Sequence, residues 1–374
     1  MNYFIITVYI LICFILAVNE KRIKSRYRVT LFIFISILFS LEFAFRDIYK
    51  TRDTYNYVEI FNAVSISDGL FESYDRYEPG FCFINRIVKL IIDDYKFLLF
   101  VVSFCIFMLW LWVLKLYQQY MMSNECATAC HLPSIPISIY PLSFLAVYIP
   151  YFGLLYNSIA LRAGLEIALL YVSILLCLNN KYVYAIVVYL ITITIHQSAI
   201  IALPLLILAY KKNKFTKITA TRLFYISLLI YVVGLRRGTA NFASFIISAL
   251  SSHFPELLIF SWSDHYMDNG TADYGISLFR LSFYFLAFFL IYNEKSKRVN
   301  VFTSLTLISL IICALFGGFS ILNRFIEMFL ISCCISININ LNNISSCLVR
   351  PYKIVIFILI PMILFYCGYL SNCL

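Results

Sequence analysis

The sequence contains few charged residues for its length. Only 13% of the 374 residues are Asp, Glu, Lys or Arg, and 62% are hydrophobic, whereas about a quarter of a soluble domain is charged. Many apolar runs reach the roughly 20 residues with which a helix crosses a bilayer. The runs are continuous, which argues against the alternating strands of a membrane barrel. The sequence therefore predicts an all-α polytopic integral membrane protein.

Motifs for metal binding and disulfide formation are also missing. The twelve cysteines include no C-x-x-C pair, and most lie in apolar runs, as buried free thiols do. Cys126, Cys130 and His131 form a small cluster, but it lacks the fourth ligand and the spacing of a zinc site. No D-x-D pair is present. We therefore expect neither a metal nor another cofactor.

The net charge of +10 comes from basic residues that are grouped between apolar runs, an arrangement that indicates membrane orientation rather than nucleic-acid binding. Placing the clusters at 21–28, 211–222 and 295–298 in the cytoplasm, together with Lys115, Lys181, Arg350 and Lys353, puts 17 of the 29 basic residues inside. The same assignment predicts about 12 transmembrane helices in a single membrane domain, residues 1–374, with both termini outside. No basic residue precedes the first helix, so a cleavable signal peptide is not expected.

Two polar segments, 46–96 and 236–274, fall on the outer side and hold 13 of the 19 acidic residues. The first segment is predicted to carry two short amphipathic helices on the membrane surface. One begins at Asp53, and the other begins at Glu78 with Pro79 in the first helical position, as is typical of helix starts. Each of the two carboxylates is either a helix cap or a general base.

Several charges within the apolar runs map to one level, near the outer membrane surface. Charged groups in a membrane are costly and by default mark a functional site, and arginine pairs bidentately with phosphate oxygens. We therefore predict a site for a lipid diphosphate. The alternative is that Arg162 with Glu166 and Arg324 with Glu327 are neutral pairs on one helix face, or that the arginines snorkel to the interface. The candidate residues are Arg46, Arg52, Arg162, His196, Arg236, Arg280 and Arg324.

Five stretches resemble, in type and order, the EpsG-like branch of the Wzy O-antigen polymerases. They are R-D-x5-D-T-Y-x-Y from Arg46, E-P-G-F-x-x-x-N-x-x-x-K from Glu78, NSIALRAGLEIALLYVSI around Arg162, HQSAIIALPL from His196, and LNRFIEMFLI around Arg324. The resemblance covers roughly residues 40 to 330. The sequence departs from it at RAGLE, where RQ followed by small residues is typical, so that Glu166 is unusual.

The resemblance implies a GT-C-like membrane glycosyltransferase, and because no D-x-D pair occurs, we expect arginines rather than a metal to neutralise the leaving group. It would face the periplasm in the bacterial inner membrane and move a growing glycan from undecaprenyl diphosphate onto the non-reducing end of a new lipid-linked unit. Its expected partners are the undecaprenyl-diphosphate-linked oligosaccharide, membrane lipid and, as a candidate, a chain-length regulator protein. The arginines would bind the diphosphate, and Glu78, Asp53 or His196 would take the proton of the acceptor hydroxyl.

Two other functions fit a polytopic protein with buried charge. A flippase or exporter of the same lipid-linked oligosaccharide would place charges near the membrane midplane, whereas here they are predicted at one side. A membrane acyltransferase would need a histidine that a cytoplasmic donor can reach, but His196 and His265 are predicted outside. Both considerations favour the polymerase.

Overall fold

The computed structural model describes residues 3–50, 52–67, 69, 72–74, 77–128, 139–210, 215–234, 277–294, 297–316 and 326–343. The helices in these ranges are α1 (Tyr3–Asn19), α2 (Ser25–Ala44), α3 (Arg52–Ala63), α4 (Pro79–Ile91), α5 (Tyr95–Thr128), α6 (Pro141–Tyr148), α7 (Leu161–Leu178), α8 (Tyr182–Ile195), α9 (Leu203–Tyr210), α10 (Lys217–Val233), α11 (Leu278–Tyr292), α12 (Val301–Phe316) and α13 (Ser332–Asn343). Within the same ranges there is no β-strand, only two isolated bridges.

Three described helices are long and apolar enough to cross a membrane: Ser25–Ala44, Tyr95–Ser123 and Leu161–Leu178. Shorter apolar helices accompany them, such as Tyr182–Ile195 and Val301–Phe316. The predicted class, a helical membrane protein, is thus confirmed at this level. The number of spans stays a prediction, and the helix expected at 354–370 lies outside the described residues.

The chain divides into two compact units, residues 1–213 with 345–374 and residues 214–344. In the first unit α7 is the central helix: it packs against α5, α8 and α9 and is buried on almost every side. A helix that is apolar all round belongs in an interior. Of the two charged side chains on α7, Glu166 is fully buried and Arg162, near the start of the helix, is partly exposed.

The segment that precedes α7 is held by buried polar contacts. After α6 the chain makes two π-helical stretches, Ile149–Gly153 and Leu155–Ile159, in a region where Pro150 removes a backbone donor. Trp110 Nε1 donates to the Tyr148 hydroxyl at 3.0 Å, which donates to Asn157 Oδ1 at 2.6 Å. Asn157 Nδ2 donates in turn to the Ser103 carbonyl at 2.9 Å. Polar groups between apolar helices need such partners, and the network fixes where α7 begins.

Helices α3 and α4 form in the polar segment 46–96, as predicted. The cations of α4 bind the chain that leads to it: Lys89 Nζ donates to the carbonyls of Phe61 and Val64, each at 3.0 Å, and Arg86 Nη1 donates to the Glu72 carbonyl at 2.9 Å. Lys89 therefore satisfies carbonyls at the C-terminal end of α3, where cations are favoured. These contacts join the two short helices into one substructure.

The second unit contains α10, α11, α12 and α13, with α10 packed against α11 and α12, and α13 against α12. The Tyr284 hydroxyl lies 3.2 Å from the Leu310 carbonyl, and Lys217 Nζ donates to the Glu294 carbonyl at 2.6 Å. Helix α10 ends at Gly234, which adopts the left-handed conformation with φ of 77°, a common helix terminator.

Two helices have boundaries that apolar length and capping residues do not suggest. Helix α5 runs from Tyr95 to Thr128, well beyond the roughly 20 residues that cross a bilayer. Its last turns carry polar residues yet remain helical, because few Gly or Pro residues interrupt them. Helix α3 begins at Arg52, so that Asp53 lies in the first turn instead of preceding the helix as its cap.

Candidate active site

Glu78 lies at the N-cap position of α4, but its side chain makes no capping hydrogen bond there. Instead its carboxylate is shared among residues from distant parts of the chain. Oε2 accepts a hydrogen bond from Arg162 Nη1 at 2.6 Å, and Oε1 lies 3.0 Å from His196 Nδ1 and accepts from the backbone N–H of Gln197 at 3.0 Å. The residue is only 8% exposed. The structure thus brings together three of the predicted site residues, Glu78, Arg162 and His196.

A close approach of two helices places Glu78 beside His196. Gly80 is two residues after Glu78, and Thr194 is two residues before His196. A Cβ atom on Gly80 would lie 2.7 Å from the Thr194 carbonyl oxygen, nearer than packed atoms can approach, so glycine is needed at this contact. His196 then ends α8 in an extended conformation, with φ of −155°, and its ring turns toward the start of α4.

Arg162 is the second residue of α7. Its backbone N–H donates to the Tyr57 hydroxyl at 3.4 Å, and its guanidinium lies over the Tyr77 ring at 4.9 Å. Within the described part of the chain, Nε and Nη2 donate to no protein group, and the side chain is 20% exposed. Arg162 therefore holds Glu78 with one nitrogen and keeps a second pair of donors that can bind an anion bidentately.

The charge state of Glu78 follows from its surroundings. Burial by itself raises the pKa of this carboxyl, but the hydrogen bond with His196, the positive charge of Arg162 and the Gln197 N–H together hold the pKa below its usual value. Glu78 is thus an ionised acceptor at neutral pH. Because Nδ1 of His196 faces this carboxylate, Nδ1 carries the proton, and in a neutral imidazole Nε2 then carries the lone pair.

A second carboxylate lies on the other side of His196. Glu166 is fully buried, its Oε2 accepts a hydrogen bond from Ser198 Oγ at 2.7 Å, and the same oxygen lies 3.9 Å from His196 Nε2. The sequence suggested Glu166 as a partner of Arg162 on one helix face; the ion pair that Arg162 makes in the structure is with Glu78. Ser198 was missed, although its place two residues after His196 is a usable signal.

Arg46 connects two elements around the cluster. Its guanidinium donates to Thr54 Oγ1, at the start of α3, and to the backbone carbonyl of Ser158, just before α7. Both acceptors belong to the protein, so these bonds hold α3 against the π-helical segment that precedes α7. Tyr57, one helical turn after Thr54, is thereby placed under the backbone of Arg162. Burial and the nearby Asp53 raise the pKa of Tyr57 above its usual value, so its hydroxyl stays protonated.

The structure does not bring the other predicted residues into this cluster. Asp53 is half-buried and, among the described residues, forms no hydrogen bond or ion pair with Glu78, Arg162 or His196. Arg52 begins α3, but its side chain lies outside the described part, as do Arg236 and Arg324 entirely. Arg280 is the third residue of α11 in the second unit. The roles predicted for these residues stay predictions.

No group of three or more metal-ligating side chains occurs in the portion of the chain that the structure describes. Glu78, His196 and Glu166 do come close together, but Glu78 is bound to Arg162 and Glu166 to Ser198. The arrangement is one of paired charges and oriented hydrogen bonds, and it can hold an anion and accept a proton.

The chain thus has membrane-length apolar helices and a buried carboxylate, arginine and histidine held together at helix ends, which defines a helical membrane protein with a polar site. The family model of the EpsG family matches residues 29–373, nearly the whole chain, and the protein belongs to that family. Membership indicates a function of the polysaccharide polymerase type. Searches of curated proteins and of solved structures give no significant match.

Proposed function

We propose that the protein is a polysaccharide polymerase that moves a growing glycan from undecaprenyl diphosphate onto the non-reducing end of a new lipid-linked repeat unit. The observation that supports this most is the cluster of Glu78, Arg162 and His196, which are contributed by three separate elements. The cluster combines the hydrogen-bond donors of Arg162, which suit a phosphate, with the imidazole of His196, which Glu78 holds in one orientation. These are the two components that glycosyl transfer from a lipid diphosphate requires.

The proposed frame is a GT-C-like bundle of about 12 transmembrane helices in the bacterial inner membrane. Segments 46–96 and 236–274 would face the periplasm, because the basic clusters are placed in the cytoplasm by the positive-inside rule. Helices α3 and α4 would then lie at the outer surface. Their contacts with the ends of α7 and α8, through Tyr57, Gly80 and Glu78, would hold the site at that level.

In the proposed reaction Arg162 binds the diphosphate through Nε and Nη2. The electron pair of the breaking bond between the anomeric carbon and the phosphate oxygen leaves with the diphosphate, whose growing charge the guanidinium stabilises. Arg46, Arg52, Arg236, Arg280 and Arg324 remain candidates for further diphosphate contacts. A buried site adds to this stabilisation because water screens it less.

His196 is the proposed base. The acceptor hydroxyl gives its proton to Nε2 while its oxygen bonds to the anomeric carbon, which passes through an oxocarbenium-like state. Glu78 holds the imidazole in the required tautomer and stabilises the imidazolium that forms; the proton then passes to water. Glu78 itself is the weaker base, since its pKa is lowered. Asp53 remains the alternative base.

Elongation by the purified protein tests the proposal. Full-length protein in nanodiscs is incubated with an undecaprenyl-diphosphate-linked oligosaccharide, and product length is read on a gel, together with Arg162→Ala and His196→Ala. Wild type should produce a ladder, and both variants only the single unit. Ladders of normal length from both variants would refute the proposed site. Transport of the lipid-linked oligosaccharide across vesicles without elongation would instead support the exporter.

Orientation is tested separately with a membrane-impermeant thiol reagent on intact cells. Ser67 and Lys24 are both exposed and lie in segments predicted outside and inside. In a background with the native cysteines replaced, S67C should react and K24C should not. If S67C reacted only after the membrane was permeabilised, position 67 would be cytoplasmic and a periplasmic site would be excluded.

A further inference from the structure

Glu166 is the fully buried acidic residue whose role the proposed reaction leaves open. It lies on α7, one helical turn after Arg162, with 0% exposure. Burying a carboxylate destabilises a protein unless hydrogen bonds and opposite charge compensate for it. Ser198 Oγ supplies one such hydrogen bond at 2.7 Å, and His196 Nε2, 3.9 Å away, supplies opposite charge once the ring is protonated. Both of these groups belong to the turn that also binds Glu78.

We propose that Glu166 is a positioning residue for glycan transfer, which fixes His196 through Ser198 and stabilises the imidazolium after His196 has taken the acceptor proton. The proposal rests on the proposed function, in which His196 is the base. It assigns His196 two carboxylates, with Glu78 at Nδ1 and Glu166 on the side of Nε2.

The two carboxylates act differently because their distances differ. The contact of 3.0 Å between Glu78 and Nδ1 is a directed hydrogen bond that selects the tautomer. The 3.9 Å between Glu166 and Nε2 exceeds a hydrogen bond, so Glu166 acts on the ring by charge. At this distance Glu166 does not itself hydrogen-bond to Nε2, and opposite charges at such a separation attract strongly in a buried site.

The backbone around Glu166 is fixed as well. Gly164 lies between Arg162 and Glu166, and a Cβ atom there would lie 2.8 Å from Ile106 and would overlap the Tyr156 carbonyl. Helix α7 is therefore in close contact with the π-helical segment at this level. Ser198 is in the turn Gln197–Ala202 that follows His196. Its hydrogen bond to Glu166 therefore connects this turn to α7 and fixes the position of the His196 imidazole along α7.

Among the described residues, the charged groups in contact with His196 are Glu78 at the start of α4 and Glu166 on α7. The charged and titratable groups next to these two carboxylates are Arg162, which lies beside Tyr57 and Tyr77, and Tyr189 on α8. Arg162 is neutralised by Glu78, and the Tyr189 hydroxyl donates to the Ala199 carbonyl at 3.0 Å. Glu166 thus supplies the negative charge on the Nε2 side.

The test compares Glu166→Gln with wild type in two measurements on full-length protein in nanodiscs. The first is the NMR titration of the His196 imidazole in protein labelled with ¹³C-histidine. The His196 signal is identified as the one that is missing from the spectrum of His196→Gln. In Glu166→Gln the ring should lose its proton at a pH lower by about 1 to 3 units, the usual effect of one opposite charge. The second is elongation against pH, in which the acidic limb should shift the same way, with kcat lowered and KM little changed.

Ser198→Ala separates hydrogen bonding from charge, because Glu166 stays in place. We expect a smaller change of the titration than in Glu166→Gln, together with a lower kcat. Ser173→Ala is the matched control: Ser173 Oγ also joins α7 to the α8 chain, by donating to the Ala185 carbonyl at 2.7 Å, but lies away from the site. It should leave the titration and the pH profile unchanged.

The outcomes distinguish the two proposals. An active His196→Gln variant would show that the proposed base is wrong. If His196→Gln is inactive but Glu166→Gln titrates and elongates like wild type, the proposed base stands. Only the role of Glu166 is then overturned. Should Glu166→Gln fail to fold, a Ser198→Ala titration and rate identical to wild type would overturn it equally.

Discussion

Glu78 and Arg162 are 84 positions apart in the chain, and their side chains meet at 2.6 Å. The carboxylate that could have capped α4 is turned away from the helix to bind this arginine and His196. A cap needs only a local partner, whereas this pair needs α4, α7 and the end of α8 in their native places. The pair is thus a sensitive indicator of whether the site has assembled.

Replacing Glu78 by Gln should lower elongation by about 100-fold or more, the order that a positioned general base supplies. The amide keeps the size of the side chain but cannot bind Arg162 by charge or hold His196 in one tautomer. Initial elongation rates of purified protein measure the effect.

Asp53→Asn is the matched comparison, because Asp53 also lies at the beginning of a short helix, in the first turn of α3, and is the alternative base. If His196 is the base, this variant should retain most of the activity. A severe loss from Asp53→Asn with little loss from Glu78→Gln would assign the base to Asp53.

The lowered pKa of Glu78 predicts a pH dependence of stability. The ordinary value is 4.5, so the stabilisation by the ionised carboxylate is complete above about pH 5 and is lost as the pH falls through the lower folded-state pKa. Wild type should therefore lose more stability than Glu78→Gln between pH 5 and pH 3 (about the range set by carboxyl groups). Thermal unfolding in detergent at stepped pH measures this, and parallel curves for both proteins would contradict it.

Gly80→Ala should separate α4 from α8. The added methyl group would lie 2.7 Å from the Thr194 carbonyl oxygen, so the helices must move apart and the bond from Glu78 to His196 lengthens. We expect the free energy of unfolding to fall by about 1 to 3 kcal/mol, as for overpacking. The elongation rate should fall by more than the reduced fraction of folded protein explains.

Gly69→Ala is the control for this change. A Cβ atom at Gly69 would meet Glu72 at an ordinary 3.6 Å, and the backbone there has no positive φ. The variant should therefore match wild type in stability and elongation. Unaltered activity of Gly80→Ala would show that the close contact is not needed for the site.

Glu20 predicts a second pH effect, far from the site in sequence. Its carboxylate accepts from the backbone N–H groups of Leu142 and Ser143 at 2.9 and 2.8 Å, at the start of α6. Burial raises its pKa to about 7, although the Ser143 hydroxyl and Arg28 work against the rise. A raised folded-state pKa of an acid means that stability falls as the pH rises from the ordinary 4.5 to about 7, because deprotonation is harder in the folded protein.

Unfolding temperatures between pH 5 and pH 8 (about the range in which Glu20 loses its proton) measure this effect. Glu20→Gln should lose this part of the pH dependence, while Glu59→Gln, which changes an exposed acid, should keep it. An unchanged slope in Glu20→Gln would contradict the assignment.

Local patterns in the sequence predicted the helical membrane class and the two short helices of the polar segment, and they singled out Glu78, Arg162 and His196, which meet in the structure. Such features can be read from sequence because apolar length, Pro79 after Glu78, and rare charges in apolar runs each have a local physical cause. The sequence also suggested that Arg162 pairs with Glu166, since four residues separate them on one helix.

Only the tertiary structure showed that Glu78 takes Arg162 as its partner, that Glu166 binds Ser198, and that Arg46 bonds to Thr54 and Ser158. These pairings depend on how helices pack, which is set by close contacts such as that of Gly80 with Thr194. Composition and spacing determined which groups are costly to bury; the packing of α4, α7 and α8 decided which of them meet, because a hydrogen bond requires its two atoms within about 3 Å.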